Sequence, residues 1–386
     1  MKKFGNDSTC RRFSGGIRKG AAALLGTSIL ISSLAPSAFA AIDPVNVIVN
    51  GERAPISLST PYSSGGVTMV PMRFVAEKLE IPVQWDSKTG VVTLQKNGKT
   101  IVLTVGSSYG KVNGTRVALG AKVVRRDGTV MIPLRLVSEQ MNANVKWEPD
   151  YHTVTITDSN LAKLKLDRFG RLIRTTNLPT NAKNYENIYA DIPNVMYEYP
   201  KLYPLIDTTP NMFKDNSWDS YYYQNTELMR KWQNNAEEYF NQLLNVDYRT
   251  IGSEATWAQE MKSHRNSLGE IREMKEYVTW VKKNQIVTEG VFQAEPSILL
   301  KWESGGYYYI RSHFKFKIMS AKQNKGIFYD EYYDYYNSNH PLKFNTWYEG
   351  YMDMPVSTNV VRGDMYYVSG LAAMFIKFSE ISKLKE

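Results

Sequence analysis

The stretch "MVPMRFVAEKLEIPVQWDSKTGVVTL" (residues 69–94) aligns without a gap on "MIPLRLVSEQMNANVKWEPDYHTVTI" (residues 131–156), at a constant offset of 62 residues. The alignment sets Pro71 on Pro133, Arg73 on Arg135, Glu77 on Glu139 and Trp85 on Trp147. Self-similarity at a fixed period marks a repeated structural unit. Each copy opens on an Asn-Gly pair, Asn50-Gly51 or Asn113-Gly114, between β-prone residues. That pair signals a hairpin, because both central positions of its turn need positive φ. A strand then leads to the proline, which is expected in the first helical turn, where a missing N–H costs nothing. Met72, Val75, Ala76 and Leu79 follow at helical spacing, and Leu134, Val137 and Met141 repeat that face. The period then becomes two. Val83 and Trp85 point one way around Gln84, as do Val145 and Trp147 around Lys146. A further hairpin signal, Asn97-Gly98, leads from "VVTL" into "KTIVLTV". Each copy therefore reads as ββαββ.

Arg73 and Glu77, like Arg135 and Glu139, are spaced i,i+4 and can meet on one helix face. A carboxylate held by an arginine is one chemical reading. A doubled active site would need partners that the repeat does not provide. The pair is read instead as an ion pair closing each helix onto its sheet, with Trp85 and Trp147 as large core plugs. The pattern V-P-x-R-x-V-x-E, a short gap, then V-x-W resembles the copper amine oxidase-like N-terminal domain, a stalk-type module of exported Gram-positive proteins. Leu79-Glu80 and Met141-Asn142 stand where that family usually has Leu-Gly. The resemblance implies an α+β presentation module over residues 46–157, and not the part of an amine oxidase that holds copper.

The ends of the chain set its expected location. Lys2, Lys3, Arg11, Arg12, Arg18 and Lys19 precede an uncharged apolar run over residues 21–34 and then Ala38-Phe39-Ala40. That order reads as a secretory signal peptide cleaved after Ala40, because the run is shorter than the roughly 20 residues a membrane span needs. Cys10 is the single cysteine and lies in the leader, so the mature chain folds without disulfides. The leader carries six basic residues and one acid, so the formal +9 falls to +4 without it. The high pI is mostly targeting sequence and gives no reason to invoke nucleic acid. No later apolar run is long enough to cross a membrane as a helix.

The family name calls for a test of copper chemistry, since Asn184-Tyr185-Glu186-Asn187 superficially matches the motif whose tyrosine becomes a quinone. The family's copper site uses three histidines, two of them spaced His-x-His. The four histidines here are His152, His264, His313 and His340, none of them spaced i,i+2. Amine oxidase activity is rejected on that ground, and no cofactor or metal is expected.

Residues 158–189 are polar and punctuated and read as a linker. Beyond them the composition changes: of 26 tyrosines only Tyr62, Tyr109 and Tyr151 precede residue 170. A second, Tyr-rich α+β domain is expected over residues 190–386, opening on a proline-rich extended arm. Two helices are expected, one lined by Leu228, Trp232, Tyr239, Leu243 and Leu244, the next by Ile271, Met274, Val278 and Val281. A long hairpin turning at Ser304-Gly305-Gly306 follows. Arg311, His313, Lys315 and Lys317 fall on one face of its second arm, read as solvated. "GIFYDEYYDYY", "FNTWYEGYMDM" and "DMYYVSGLAAMFIKF" are further strand candidates. The element order is similar to that of nuclear-transport-factor-2-like domains, which implies a helix-cradling curved sheet.

Asp330, Tyr332, Tyr333, Asp334 and Tyr335 form the candidate binding cluster, acids beside stacking rings. The reading that follows is an exported, non-enzymatic protein of a Gram-positive envelope. A stalk domain presents the Tyr-rich domain to a cell-wall glycan or an envelope protein. The alternative is a secreted hydrolase of carbohydrate or peptidoglycan using two of Asp330, Glu331, Asp334, Glu349 and Asp353. It requires two carboxylates facing each other at a set separation.

Overall fold

The computed structural model describes residues 43–56, 59–126, 128–158, 165–167, 170–198, 208–210, 225–266, 271–302, 307–330, 332–356, 368–369 and 379–383. The leader, the hairpin turn at 304–306, Glu331, most of the proline-rich arm and most of "DMYYVSGLAAMFIKF" lie outside the described residues. The structure is α+β, with several sheets and few helices.

Among the described residues the N-terminal region holds fourteen short strands and two α-helices. The first copy of the repeat holds β1 (Asp43–Pro44), β2 (Asn46–Val49), β3 (Glu52–Arg53), β4 (Tyr62–Ser64), β5 (Val67–Pro71), α1 (Met72–Lys78), β6 (Val83–Asp86) and β7 (Val91–Lys96). β8 (Lys99–Thr104) connects to the second copy: β9 (Tyr109–Val112), β10 (Thr115–Ala118), β11 (Val124–Arg126), β12 (Thr129–Pro133), α2 (Leu134–Gln140), β13 (Ala143–Glu148) and β14 (Thr153–Asp158). The central sheet runs β1-β4-β5-β12-β11, and the two copies meet in it through antiparallel pairing of β5 with β12. Each outer sheet mixes the copies. In one, β6 and β7 are joined through β8 to β9 and β10; in the other, β13 and β14 are joined to β2 and β3. The copies interlock rather than stand side by side.

The core lies between these sheets and the two helices. Met72, Val75 and Ala76 of α1, and Leu134 and Val137 of α2, are buried against Val47, Val92, Leu94, Ile101, Leu103 and Ile156. Fully burying such a side chain contributes roughly 1.5–3 kcal/mol.

Three sequence expectations change here. Pro71 and Pro133 close strands and stand immediately before the helices, at ψ 114° and 119°, so they are not in the first helical turn. Trp85 and Trp147 are 40% and 47% exposed and are not core plugs. Trp85 pairs with Val92 and shares its inward face, but β6 is the last strand of its sheet and overhangs the core. Trp147 pairs with Val154 on β13, the edge of the other outer sheet. A two-residue period gives a side chain's face and not its distance from the sheet edge. Finally, Arg135 and Glu139 do pair at 2.8 Å, but in solvent, and Glu77 approaches Lys78 at 3.9 Å. Neither contact ties a helix to a sheet.

The C-terminal region centres on a long hairpin, β17 (Val287–Trp302) with β18 (Tyr307–Ser320), extended by β19 (Trp347–Val356). Short strands β15 (Thr208–Pro210), β16 (Arg265–Asn266), β20 (Val368–Ser369) and β21 (Ser379–Lys383) complete the sheet, in the order β15-β17-β18-β19-β20-β16 with β21 on β19. A register shift between Ala294 and Leu299 bends β17. After α3 (Asn194–Glu198) comes α4 (Thr226–Leu244), where the Asn225 side chain caps the helix by accepting from the Leu228 N–H at 3.0 Å. Its buried face, Leu228, Trp232, Ala236, Tyr239 and Leu243, lies on the sheet. Gly290 permits the approach, since a Cβ there would fall 2.8 Å from Leu244 and from the Lys315 carbonyl.

α6 (Ile271–Asn284) is the second expected helix, and α5 (Glu254–Ser263) precedes it unforeseen. "GIFYDEYYDYY" is not a strand. It forms a 3-10 turn at Ile327–Tyr329 and helix α7 (Tyr333–Asn339). The Asp330 carboxylate accepts from the Tyr332 N–H at 2.7 Å and starts the turn, while Tyr333 plugs the core and Tyr336 stacks on His340.

Candidate functional site

The first hairpin of the repeat holds the most densely bonded polar cluster. Asn50 and Gly51 both adopt positive φ and turn the chain so that β3 brings Arg53 back beside Asn46. Arg53 is buried. Its Nε donates to Asn46 Oδ1 at 2.9 Å, its Nη1 to the Ala294 carbonyl at 2.7 Å, and its Nη2 to Glu237 of α4 at 2.5 Å. Glu237 is also buried, and it accepts from Asn46 Nδ2 at 2.8 Å and from the Ala294 N–H at 3.0 Å. One arginine of the N-terminal region thus joins a helix and a strand of the C-terminal region. Around it, Arg230 of α4 donates to Glu148 at 2.7 Å and lies over the Tyr151 ring, and Gln293 donates to the Ala54 carbonyl at 3.0 Å. Burial works to raise the Glu148 carboxyl, but hydrogen bonds and charge from Lys146 and Arg230 outweigh it and hold it below its ordinary value.

The stretch expected as a linker is part of this junction. Leu172 N–H donates to the Gly51 carbonyl at 2.7 Å, and a Cβ on Gly51 would fall 2.8 Å from that nitrogen. Buried Arg171 pairs with Asp191 at 2.7 Å and with Glu295 at 3.2 Å. Burial opposes its charge, and the two carboxylates reverse that effect and hold its pKa above the ordinary value. The other oxygen of Asp191 accepts the Arg53 backbone N–H at 2.5 Å. Tyr185 donates to the Tyr197 carbonyl at 2.9 Å and packs edge-on against that ring at 4.9 Å. It has a packing role there.

Two cavities flank Arg53. One of about 40 Å³ is lined by Asn46, Arg53, His152, Glu237, Glu238 and Gln293. The other, about 30 Å³, lies against Arg53, Arg171, Arg230 and Glu295. Each has room for a water or two; small-molecule sites run from roughly 300 Å³ upward.

Two of the four histidines share one carboxylate and the other two have different neighbours. His152 and His264 approach opposite oxygens of Glu238, at 3.7 and 3.0 Å. Burial lowers the His264 pKa, against the pull of Glu238 and Glu260. His340 stacks on Tyr336. His313 stacks on Tyr351 and lies 3.6 Å from Glu349, beyond hydrogen-bond length. Burial first, and Lys315 second, push His313 down to about 3. Among the described residues no three His, Cys, Asp or Glu side chains are grouped to hold a metal ion.

The face of β18 read as solvated is covered. Arg311 is buried, holds Asp353 in a two-pronged pair at 2.8 and 3.0 Å, and donates to the Met196 carbonyl. Lys315 donates to the Ile56 carbonyl of the N-terminal region at 3.4 Å. Alternation identified the polar face correctly but not the segment packed on it.

The candidate binding cluster does not share one surface. Asp330 and Tyr333 are buried, Tyr332 is half-buried, and Asp334 and Tyr335 face solvent, with Tyr335 75% exposed. Asp334 accepts from the Gly326 N–H at 2.9 Å. Asp353 is held by Arg311, and Glu349 lies 3.7 Å from Lys315. These carboxylates occupy a turn, a helix and a strand, each with a local structural partner. The junction residues Arg53, Glu237, Arg171, Asp191 and Glu295 were not singled out from sequence. A usable signal existed: Asn-Gly-x-Arg occurs at Asn50–Arg53 and again at Asn113–Arg116.

This interlocked region of paired hairpins and two short helices has known counterparts. Residues 48–156 match the family model described as "Copper amine oxidase N-terminal domain". The chain carries a copper amine oxidase N-terminal domain. Arg53, Asn46 and Glu148 place the copper amine oxidase N-terminal domain against α4 and β17 of the region that follows it. A protein named "Protease inhibitor" from Brevibacillus choshinensis is 27% identical over 146 residues, which is 38% of this chain and 43% of that relative. The match thus spans less than half of the relative's length. Among the described residues no helix is long and apolar enough to cross a membrane.

Proposed function

We propose that this protein is exported and works by surface contact rather than by catalysis. Residues 46–157, read as a duplicated ββαββ stalk, hold a Tyr-rich domain over residues 190–386 in a fixed orientation toward a protein or glycan of the cell envelope. The observation that carries the reading is the junction. Arg53, Glu237, Arg171, Asp191 and Glu295 form a buried, multiply bonded set between the two regions, so the outward surfaces keep one relative geometry. A preorganised surface binds with less loss of conformational freedom than a mobile one. The sequence likeness to a protein named as a protease inhibitor favours a protein partner. Exposed Tyr335 and Phe344 on the C-terminal region supply aromatic contact area of the kind enriched in interfaces.

The hydrolase alternative is disfavoured because Asp330, Asp334, Glu349 and Asp353 are each engaged by a local structural partner. The test is a sedimentation assay with purified cell wall, run beside inhibition assays on a panel of secreted proteases. Stoichiometric inhibition establishes the protein-contact reading, and sedimentation with wall establishes glycan contact. A protein that stays wholly in the supernatant, inhibits nothing and hydrolyses wall material sinks the proposal.

A further inference from the structure

The two Asn-Gly-x-Arg hairpins are built alike, and one of them already binds a carboxylate. In the first, Ile48 pairs with Arg53, and the guanidinium reaches back to residue 46, where Asn46 helps it hold Glu237. In the second, Lys111 pairs with Arg116, and the guanidinium reaches back the same distance along the chain, to lie 3.8 Å over the Tyr109 ring. Lys111, Arg116 and Tyr109 are all exposed. Arg116 lies over the ring and is exposed, and an exposed guanidinium can offer two N–H groups to one carboxylate.

The surroundings fit an anionic partner. Residues 87–126, the stretch of sequence that contains this hairpin, carry no acid and eight basic side chains, one of which, Lys96, is paired with Asp158, whereas the rest of the mature chain is net negative. Lys111 and Arg116 are direct cross-strand neighbours, an arrangement of like charges that destabilises a sheet unless something offsets it. β10, which carries Arg116, is the edge of its sheet. The face is exposed along a sheet edge, so it suits an extended segment and not an enclosed small ion.

We propose that the hairpin β9–β10 is a docking face for an acidic protein segment, with Arg116 and Lys111 taking its carboxylates as Arg53 takes Glu237. This site lies on the N-terminal domain and is independent of the C-terminal surface discussed above. Association would be steered by charge and weakened by salt.

The experiment is fluorescence anisotropy of labelled poly-L-glutamate titrated with the protein at 50 and 200 mM salt, with K111Q/R116Q and R135Q beside the parent. R135Q removes an equally exposed arginine from α2. Expected are saturable binding at low salt, at least a tenfold loss at the higher salt, at least a tenfold loss in K111Q/R116Q and less than a twofold change in R135Q. Thermal melts of the double variant at or above the parent's show that it still folds. No binding of poly-L-glutamate, or binding that survives K111Q/R116Q, overturns the proposal. Long-chain polyphosphate, run in parallel, identifies a phosphate-polymer face if it alone binds through the same two residues, and that too overturns it.

Discussion

Two hairpins with the same turn and the same arginine have different fates in this molecule. The first is sealed: Arg53 sits among Asn46, Glu237 and the Ala294 carbonyl, with Leu172 bonded across its turn. The second is open, with Arg116 lying over Tyr109. The closing hairpins differ in the same sense. β13 contributes Glu148 to Arg230 of α4, whereas β6 is exposed along its whole length. A repeat therefore specifies backbone geometry, and the neighbour of each copy decides whether its polar groups act as structural bonds or as free surface.

The largest test of that contrast is Arg53→Ala, which leaves Glu237 buried without its cation. Breaking one partner of a buried pair typically costs about 3–5 kcal/mol, and urea denaturation should show a loss of that size. Arg116→Ala should leave the urea midpoint unchanged. Equal effects at the two sites would break the comparison.

The dryness of the covered face is tested by pH. His313 has its pKa pushed down to about 3 by burial, from an ordinary value near 6.5. The unfolded chain binds that proton before the folded one does, so this contribution is complete above pH 6.5 and is lost as pH falls toward 3. Between pH 7 and 5 the loss from this one group is about 2 kcal/mol. His313→Gln should flatten that part of the stability curve relative to the parent, and an unchanged slope would mean that the face is wet.

A smaller effect is expected for Trp147→Ala and Trp85→Ala. Replacing a core tryptophan costs about 3–5 kcal/mol; these two, on exposed edges, should each cost less than about 1 kcal/mol. Trp147, stacked on His152, should be the more sensitive. The smallest effect is Arg135→Ala, where the helix-surface pair with Glu139 is open to solvent and no shift in the thermal midpoint is expected.

Much of the N-terminal fold was legible because its signals are local. Asn-Gly turns, helix-spaced Val75 and Leu79, and alternation in "VVTL" each act within a few residues. What could not be read depends on distant partners. Nothing near Trp85 says that β6 ends its sheet, and nothing near Arg311 or His313 announces the chain segments that cover them. The repeat drew attention to Arg73 and Glu77, which lie at the surface, while Arg53 finds its partner 184 residues away. The strand candidate "GIFYDEYYDYY" fails for the same reason. It forms a helix from Tyr333, and Tyr333 fills a core assembled from α6, β18 and β19.

The parallel pairing of β2 with β14 sets an order of events for the growing chain. Val47 finds Val154 across the sheet, and Asn46 donates its backbone N–H to His152. The first strand of the domain therefore waits for the last, and Arg53 waits longer still for Glu237. Contacts of such separation form late, because the loop between them must close first. A polypeptide emerging from its N-terminus cannot complete this sheet until residue 156 has appeared, more than a hundred residues after β2.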